Sequence, residues 1–383
     1  MKKIGILAYT KKEDGGVFQY TQSLIDSLKM DKKKEYIIFT NIDNHVFDNN
    51  TIEVRKINKP YENVTIKIIR LLQRLFFIRK AFFFKKNELN AFADIDFFIS
   101  PGISCYPHFY LNKPFIFTLH DMQEKYFPNF FNQKIRLKRF SDNRALLKFT
   151  EKVLCESDFV KNDIMNFTGT KAAKIIVIKS PPPEEFITFK FKSSQYEVVR
   201  KKYDLPQKYI FYPAQCWFHK NHIKLVEAFN LVQKEIDDVY LVLTGSQQNN
   251  YNNLIKRIDE LELGIKVKHL GYIDYEDLPY LYTLSKMLVM PTLFESVSIP
   301  IYEAFALKVP VCSSNVVALP EQVGNAGILF NPMDERDIAN KILMYLRNEK
   351  LLEEKAILGF KKIIEFNHNN YSKDLINIMQ DCV

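Results

Sequence analysis

Short apolar runs alternate along this chain with stretches whose apolar residues recur every three or four positions. Ile4 to Ala8, Tyr36 to Thr40, Phe97 to Ser100, Phe115 to Leu119, Val153 to Cys155 and Ile175 to Ile178 are apolar almost throughout, as parallel strands buried on both faces are. Between the first two, Val17, Thr21, Leu24, Ile25 and Leu28 fall at helical spacing. Strand, helix and strand in that order predict βαβ units and a doubly wound α/β sheet.

The run Ser180-Pro181-Pro182-Pro183 interrupts the pattern, because consecutive proline rings remove donors and fix φ. The grammar then restarts. Strands are expected at Tyr209 to Tyr212, Val239 to Thr244, Val267 to Leu270, Met287 to Met290 and Val309 to Ser313, with helices near Ile223 to Gln233 and Tyr251 to Leu261. Two Rossmann-like, doubly wound parallel-sheet domains are therefore expected, residues 1–183 and 184–365. Residues from about Asp334 read as terminal helices, and 366–383 is expected to pack back toward the first domain.

Composition allows this reading. The 383 residues are 47% hydrophobic, enough for two cores. With 26% charged residues, 11 Gly and 16 Pro, collagen-like and largely disordered chains are excluded. No apolar run approaches the roughly 20 residues of a membrane span, and Ile4 to Leu7 is too short for the apolar core of a signal peptide. A cytosolic chain is expected. The five cysteines are dispersed without C-x-x-C spacing, so neither a disulfide framework nor a zinc site is indicated.

Charge is uneven. Residues 1–185 hold 31 Lys and Arg against 21 Asp and Glu, while the rest is close to neutral. A positive field of this kind draws nucleic acid, anionic membrane or a phosphorylated substrate. Within it, residues 67–86 carry seven Lys or Arg and no acidic residue, interleaved with Ile68, Leu71, Leu72, Leu75, Phe76 and Phe82. This is the pattern of a basic amphipathic helix, which either lies on an anionic membrane surface or packs its apolar stripe on the core.

Ligands of open α/β sheets gather beyond the carboxyl ends of strands. After the first strand come Asp14-Gly15-Gly16-Val17, where a helix opens and glycine lets backbone amides approach an anion. His120-Asp121 ends another strand. Gln215-Cys216-Trp217-Phe218-His219-Lys220-Asn221-His222 follows Tyr209 to Tyr212, and Lys220 there can meet phosphate charge. No third ligand accompanies His219 and His222, so a metal is not expected. Asp94-Ile95-Asp96 precedes a strand instead of following one, which argues against a metal there too. The richest stretch is Pro291 to Phe305. It carries Glu295 in a loop, Pro300 in the first turn of a helix and Glu303 about one turn in, with the amides of Ser298 and Ile299 at the helix start. Two carboxylates around such a start suit recognition of sugar hydroxyls.

Glu295 and Glu303, in the wording Phe-Glu-Ser-Val-Ser-Ile-Pro-Ile-Tyr-Glu-Ala-Phe, resemble the E-x7-E motif of the retaining glycosyltransferases of family GT4, which have the GT-B architecture of two domains facing a cleft. Gly15-Gly16 resembles the family's glycine loop, Thr118-Leu119-His120-Asp121 its sugar-contacting histidine, and His219-Lys220-Asn221 its phosphate-binding lysine segment. Cys155 to Val160, Leu270-Gly271-Tyr272-Ile273 and Leu319-Pro320-Glu321-Gln322 also fit. The resemblance implies that Glu303 holds the nucleotide ribose. It assigns the donor sugar to Glu295, the amides near Ser298 and Ile299, and His120. Lys220 would neutralise the diphosphate, and the backbone at Ile273 would meet the base. Where the family often has Arg five residues before the lysine, this chain has Gln215, which leaves more of the neutralisation to Lys220 and helix termini.

The implied activity is transfer of a hexose from a UDP- or GDP-sugar to a saccharide or lipid-linked acceptor, without metal or other cofactor, in bacterial cell-surface polysaccharide synthesis. Nucleic acid is not an expected partner. An anionic membrane surface is a candidate partner through residues 67–86, which would place the chain peripherally on the inner face of the cell membrane. Two rival readings remain at this stage: a nucleotide-sugar epimerase of the same architecture, and a non-enzymatic module that binds membrane or nucleic acid through the basic half.

Overall fold

The computed structural model describes residues 2–11, 15–40, 51–58 and 60–382, apart from the side chain of Asn87. It divides into two compact units, one made of Met1–Ser180 with His368–Val383 and the other of Pro181–Asn367.

The first unit is built on seven strands: β1 (Lys3–Leu7), β2 (Glu35–Thr40), β3 (Glu53–Lys56), β4 (Phe97–Ser100), β5 (Phe115–Thr118), β6 (Val153–Cys155) and β7 (Ile175–Val177). They pair in parallel in the order β3-β2-β1-β4-β5-β6-β7, with Ile4 opposite Tyr36 on one side and Phe97 on the other. The apolar runs became strands because helices cover both sheet faces. Of these strands only β3 was not legible as an apolar run. Its residues Glu-Val-Arg-Lys sit at the sheet edge, partly exposed, where a polar strand needs only one neighbour. Arg55 on β3 grips Asp94 through two bonds of 2.7 and 2.9 Å, so that carboxylate is taken up by an ion pair and held well below its usual pKa range.

The helix Gly16–Leu28 buries Leu24, Ile25 and Leu28 completely against this sheet, each worth roughly 1.5–3 kcal/mol. The last helix, His368–Cys382, lays Tyr371, Leu375 and Met379 into the same core. Ser372 donates to the Ser27 carbonyl at 2.7 Å.

The second unit has six strands: β8 (Tyr209–Pro213), β9 (Tyr240–Thr244), β10 (Val267–His269), β11 (Met287–Met290), β12 (Val311–Ser314) and β13 (Gly327–Phe330). Their order is β10-β9-β8-β11-β12-β13, again all parallel. The strand expected from Val309 begins instead at Val311, after Pro310, which has no N–H for the ladder. β13, a short Gly-Ile-Leu-Phe run at the sheet edge, is an addition to the strands expected from the sequence.

Loops at the carboxyl ends of this sheet approach one another closely at Gly245. It has φ +117°, donates to the Gly271 carbonyl at 2.7 Å, and leaves no room for a side chain: a Cβ would lie 2.5 Å from the Ala214 carbonyl oxygen. All five cysteines are free thiols, four of them buried. Among the described residues no helix is long and apolar enough to cross a membrane. Gly245→Ala is expected to cost roughly 2 kcal/mol or more, combining an unfavourable φ with a backbone clash. Urea denaturation reads this loss, and a midpoint equal to wild type would contradict the packing described.

Candidate active site

In the second unit the strand order reverses direction at β8 and β11, so the chain leaves these adjacent strands toward opposite sides of the sheet. A crevice outside their carboxyl ends is the topological switch point where α/β sheets bind ligands. After β8 the chain passes Gln215 and turns through Phe218–Lys220 into Asn221, whose φ of +59° starts the helix His222–Gln233. After β11 it runs through Pro291 to Ser298 into the helix Ile299–Ala306.

The two loops are tied together through backbone atoms. Leu293 N–H and the Thr292 hydroxyl donate to the His219 carbonyl at 2.8 and 3.1 Å. The Asn221 amide donates to the carbonyls of Pro291 and Pro332, both at 2.9 Å, and the Tyr212 hydroxyl to that of Lys220 at 2.9 Å. The ammonium of Lys220 is thereby delivered to both carboxylate oxygens of Glu295, at 3.0 and 2.7 Å. These side chains are only 18% and 17% exposed, so the pair is partly shielded yet open to a ligand.

Glu303 lies one turn inside the following helix and is buried. Its carboxylate accepts the Tyr282 hydroxyl at 2.6 Å, and burial together with that neighbouring charge pushes the Tyr282 pKa well up. The expected ligand-facing amide at Ser298 is corrected here: that N–H donates to Gln322 Oε1 at 2.8 Å, while Gln322 Nε2 donates back to the Ser298 carbonyl at 2.6 Å. Ser298 is fully buried. Gln322 has absorbed the amide that the helix start would otherwise present, leaving Ile299 as the remaining expected amide position. Gln215 accepts from the Trp217 indole at 2.8 Å. Ile273 follows Gly271, which has φ +72°, and buries its side chain in the core of the unit.

In the first unit the corresponding reversal lies at β1 and β4. Gly15 takes φ +62° just before the helix Gly16–Leu28; Asp14, read with it from the sequence, lies outside the described residues. His120 follows β5. Its Nδ1 is 2.9 Å from Glu156, its Nε2 is 2.7 Å from the Pro101 carbonyl, and its ring meets Tyr20 edge-on at 4.7 Å. Tyr20 is itself bonded to Thr118 at 2.8 Å. Both nitrogens of His120 therefore face oxygen acceptors within this unit, and the protonated ring can donate to both. Burial works to lower its pKa, but the Glu156 hydrogen bond and charge, the Pro101 carbonyl and Asp121 outweigh it, and the net shift is upward.

Glu156, Tyr20, Tyr282 and the bonds of Gln322 were not singled out by sequence, because each acts across a long chain separation. His222 is buried against Tyr212, and burial pushes its pKa down to about 3. Among the described residues no group of three or more His, Cys, Asp or Glu is placed to hold a metal ion.

Both units are similar to known proteins. Residues 196–357 match the family model for glycosyl transferases group 1, and residues 14–181 that for Glycosyltransferase Family 4. The chain is 29% identical over 277 residues to the O-antigen chain mannosyltransferase B of Escherichia coli, covering 71% of this chain and 72% of that protein. It is 27% identical over 235 residues to the serotype-specific mannosyltransferase WbdA of Escherichia coli, covering 60% of this chain and 29% of that much longer protein. Among solved structures, HepE of Anabaena in complex with UDP and glucose superimposes with a TM-score of 0.79 at 17% identity, covering all of both chains.

The His120 arrangement has a pH signature. Because the folded-state pKa lies above the ordinary 6.5, the stabilisation is complete below about pH 6 and is lost as pH rises through the raised value. His120→Gln is therefore expected to destabilise the chain more at pH 5.5 than at pH 9 in urea titrations. Equal losses at the two pH values would contradict the double-donor assignment.

Proposed function

Since the chain belongs to the group 1 glycosyl transferases of glycosyltransferase family 4 and has their two-domain GT-B fold, we propose that it is a retaining, metal-independent hexosyltransferase. It takes the sugar from a nucleotide-sugar donor and delivers it to a saccharide or lipid-linked acceptor in cell-surface polysaccharide synthesis. The observation that carries this reading is the Lys220–Glu295 pair at the switch point of the second sheet, with Glu303 on the helix that follows. Relatives named as mannosyltransferases support mannose as the transferred hexose.

The chemistry assigned to these groups is as follows. The bond from the sugar's anomeric carbon to the diphosphate breaks while negative charge grows on the departing phosphate. Lys220 turns from Glu295 to that phosphate, which frees the Glu295 carboxylate to accept hydrogen bonds from sugar hydroxyls. Glu303 accepts from the ribose hydroxyls, oriented by Tyr282 from behind. The acceptor hydroxyl forms the new bond on the face from which the diphosphate leaves, and its proton passes to a phosphate oxygen. No protein base is then required, and the protein's task is electrostatic stabilisation of the leaving group by groups already in place.

Two substitutions test this. With GDP-mannose or UDP-glucose as donor, Lys220→Ala is expected to lower kcat by roughly two powers of ten, or about 3 kcal/mol. Glu303→Ala is expected to abolish detectable transfer while the fold, followed by circular dichroism, persists. Undiminished transfer by the Glu303 variant would remove the assignment, and activity lost to EDTA and restored by a divalent cation would remove the metal independence.

A further inference from the structure

The helix Val64–Leu75 turns its polar side inward and its apolar side outward. Its buried positions are Ile66, Arg70 and Gln73. Val64, Ile68, Leu72 and the next residue, Phe76, are 74%, 53%, 44% and 69% exposed. At about 100° per residue these four span a single sector of roughly 120°, with Leu71 and Leu75 beside them. The opposite side is anchored through polar groups. Arg74 pairs with Asp142 at 2.7 Å and bonds to the Tyr110 hydroxyl at 2.9 Å, Gln73 donates to the Lys80 carbonyl at 2.7 Å, and Arg70 pairs with Glu62 at 2.6 Å. This excludes the alternative in which the apolar stripe packs on the core.

The apolar surface continues through Phe82 and Phe83 and onto the neighbouring helix Gln133–Phe149, where Ile135, Leu137 and Phe140 are 44%, 45% and 48% exposed. Lys67, Lys80, Lys85, Lys86, Lys134 and Arg136 stand in these same segments with no ion-pair partner among the described residues. Residues 67–86 and 132–140 contain no acidic residue. Phe77 and Phe140 also line a cavity of about 710 Å³ together with Arg144, Lys148 and Lys171. Asn143 lines it too. It is 3% exposed, and neither atom of its side-chain amide has a hydrogen-bond partner.

We propose that this face of the first unit docks on an anionic lipid bilayer, with the outward stripe of Val64–Phe76 inserted among acyl chains and a lipid phosphate seated at the basic cavity. An exposed apolar stripe bordered by uncompensated cations matches a surface that is apolar beneath and negative above. A second copy of the chain matches less well, because a symmetric contact would set like charges against each other.

The test uses the full chain without nucleotide sugar, so its outcome is separate from that of the transfer assay. In co-sedimentation, vesicles of about 3:1 phosphatidylcholine to phosphatidylglycerol are expected to bind at least roughly tenfold more tightly than pure phosphatidylcholine. The double variant Ile68→Asp with Leu72→Asp is expected to lose at least tenfold of this binding, with an unchanged melting curve because both positions are exposed. Arg144→Glu with Lys148→Glu should weaken binding several-fold, and millimolar inorganic phosphate should not release the wild type. The proposal is overturned if the Ile68/Leu72 variant sediments like wild type, or if equal binding to both vesicle types is found. It is also overturned by a concentration-dependent dimer that this variant abolishes in the absence of vesicle binding. Full binding by the Arg144/Lys148 variant, or release by free phosphate, removes the cavity from the docking site.

Discussion

Parallel pairing of β8 with β11 is the constraint on which the candidate site depends. Because each strand's connection leaves toward the opposite face of the sheet, the two following loops meet over the strand ends. Backbone carbonyls then do the positioning. His219 and Pro291 receive donors from the opposing loop, and Pro332, which follows β13, accepts from Asn221 as well, so Lys220 and Glu295 come from loops whose backbones are fixed to each other before either side chain is considered. A cation and a carboxylate held in this way need little reorganisation when a charged ligand replaces one of the partners.

The same logic explains the glycine at 245. Three loops crowd the carboxyl edge of the second sheet, and the closest approach, to the Ala214 carbonyl, occurs where a side chain would have to stand. Loops held this closely limit the freedom of the residues between them, including Gln215 and the turn that carries Lys220. In the first unit the fixed element is a side chain instead. His120 spans Pro101, which follows β4, and Glu156, which follows β6, so one ring joins the ends of strands on either side of β5.

Much of this was legible in the sequence. Strands buried on both faces write themselves as apolar runs, and strands were expected at eleven of the thirteen positions. The exceptions are β3, a polar edge strand for which the apolar requirement relaxes because it has one neighbour, and β13, a short Gly-Ile-Leu-Phe run at the edge of the second sheet whose apolar residues do not by themselves distinguish strand from helix. Lys220, Glu295 and Glu303 could be singled out because local spacing places them after strands or within a first helical turn. What could not be read is how polar groups pair across long separations. The Ser298 amide is taken by a glutamine 24 residues away, Glu303 meets a tyrosine 21 residues earlier, and His120 is bonded to a carboxylate 36 residues on. Periodicity also showed that residues 64–76 are amphipathic without showing which side is inward. The buried partners Tyr110 and Asp142, with the exposed Glu62 beside Arg70, decide that, and the first two are brought to the helix only by the tertiary fold.

The helix His368–Cys382 supplies Tyr371, Leu375 and Met379 to a core otherwise made of residues before Ser180. The second unit is therefore an insertion within the first. During synthesis the ribosome must complete all of Pro181–Asn367 before the final piece of the earlier core exists. The core of the first unit thus joins residues from both sides of Pro181–Asn367, and its completion requires the helix His368–Cys382 to return to the sheet and cover Leu24 and Leu28.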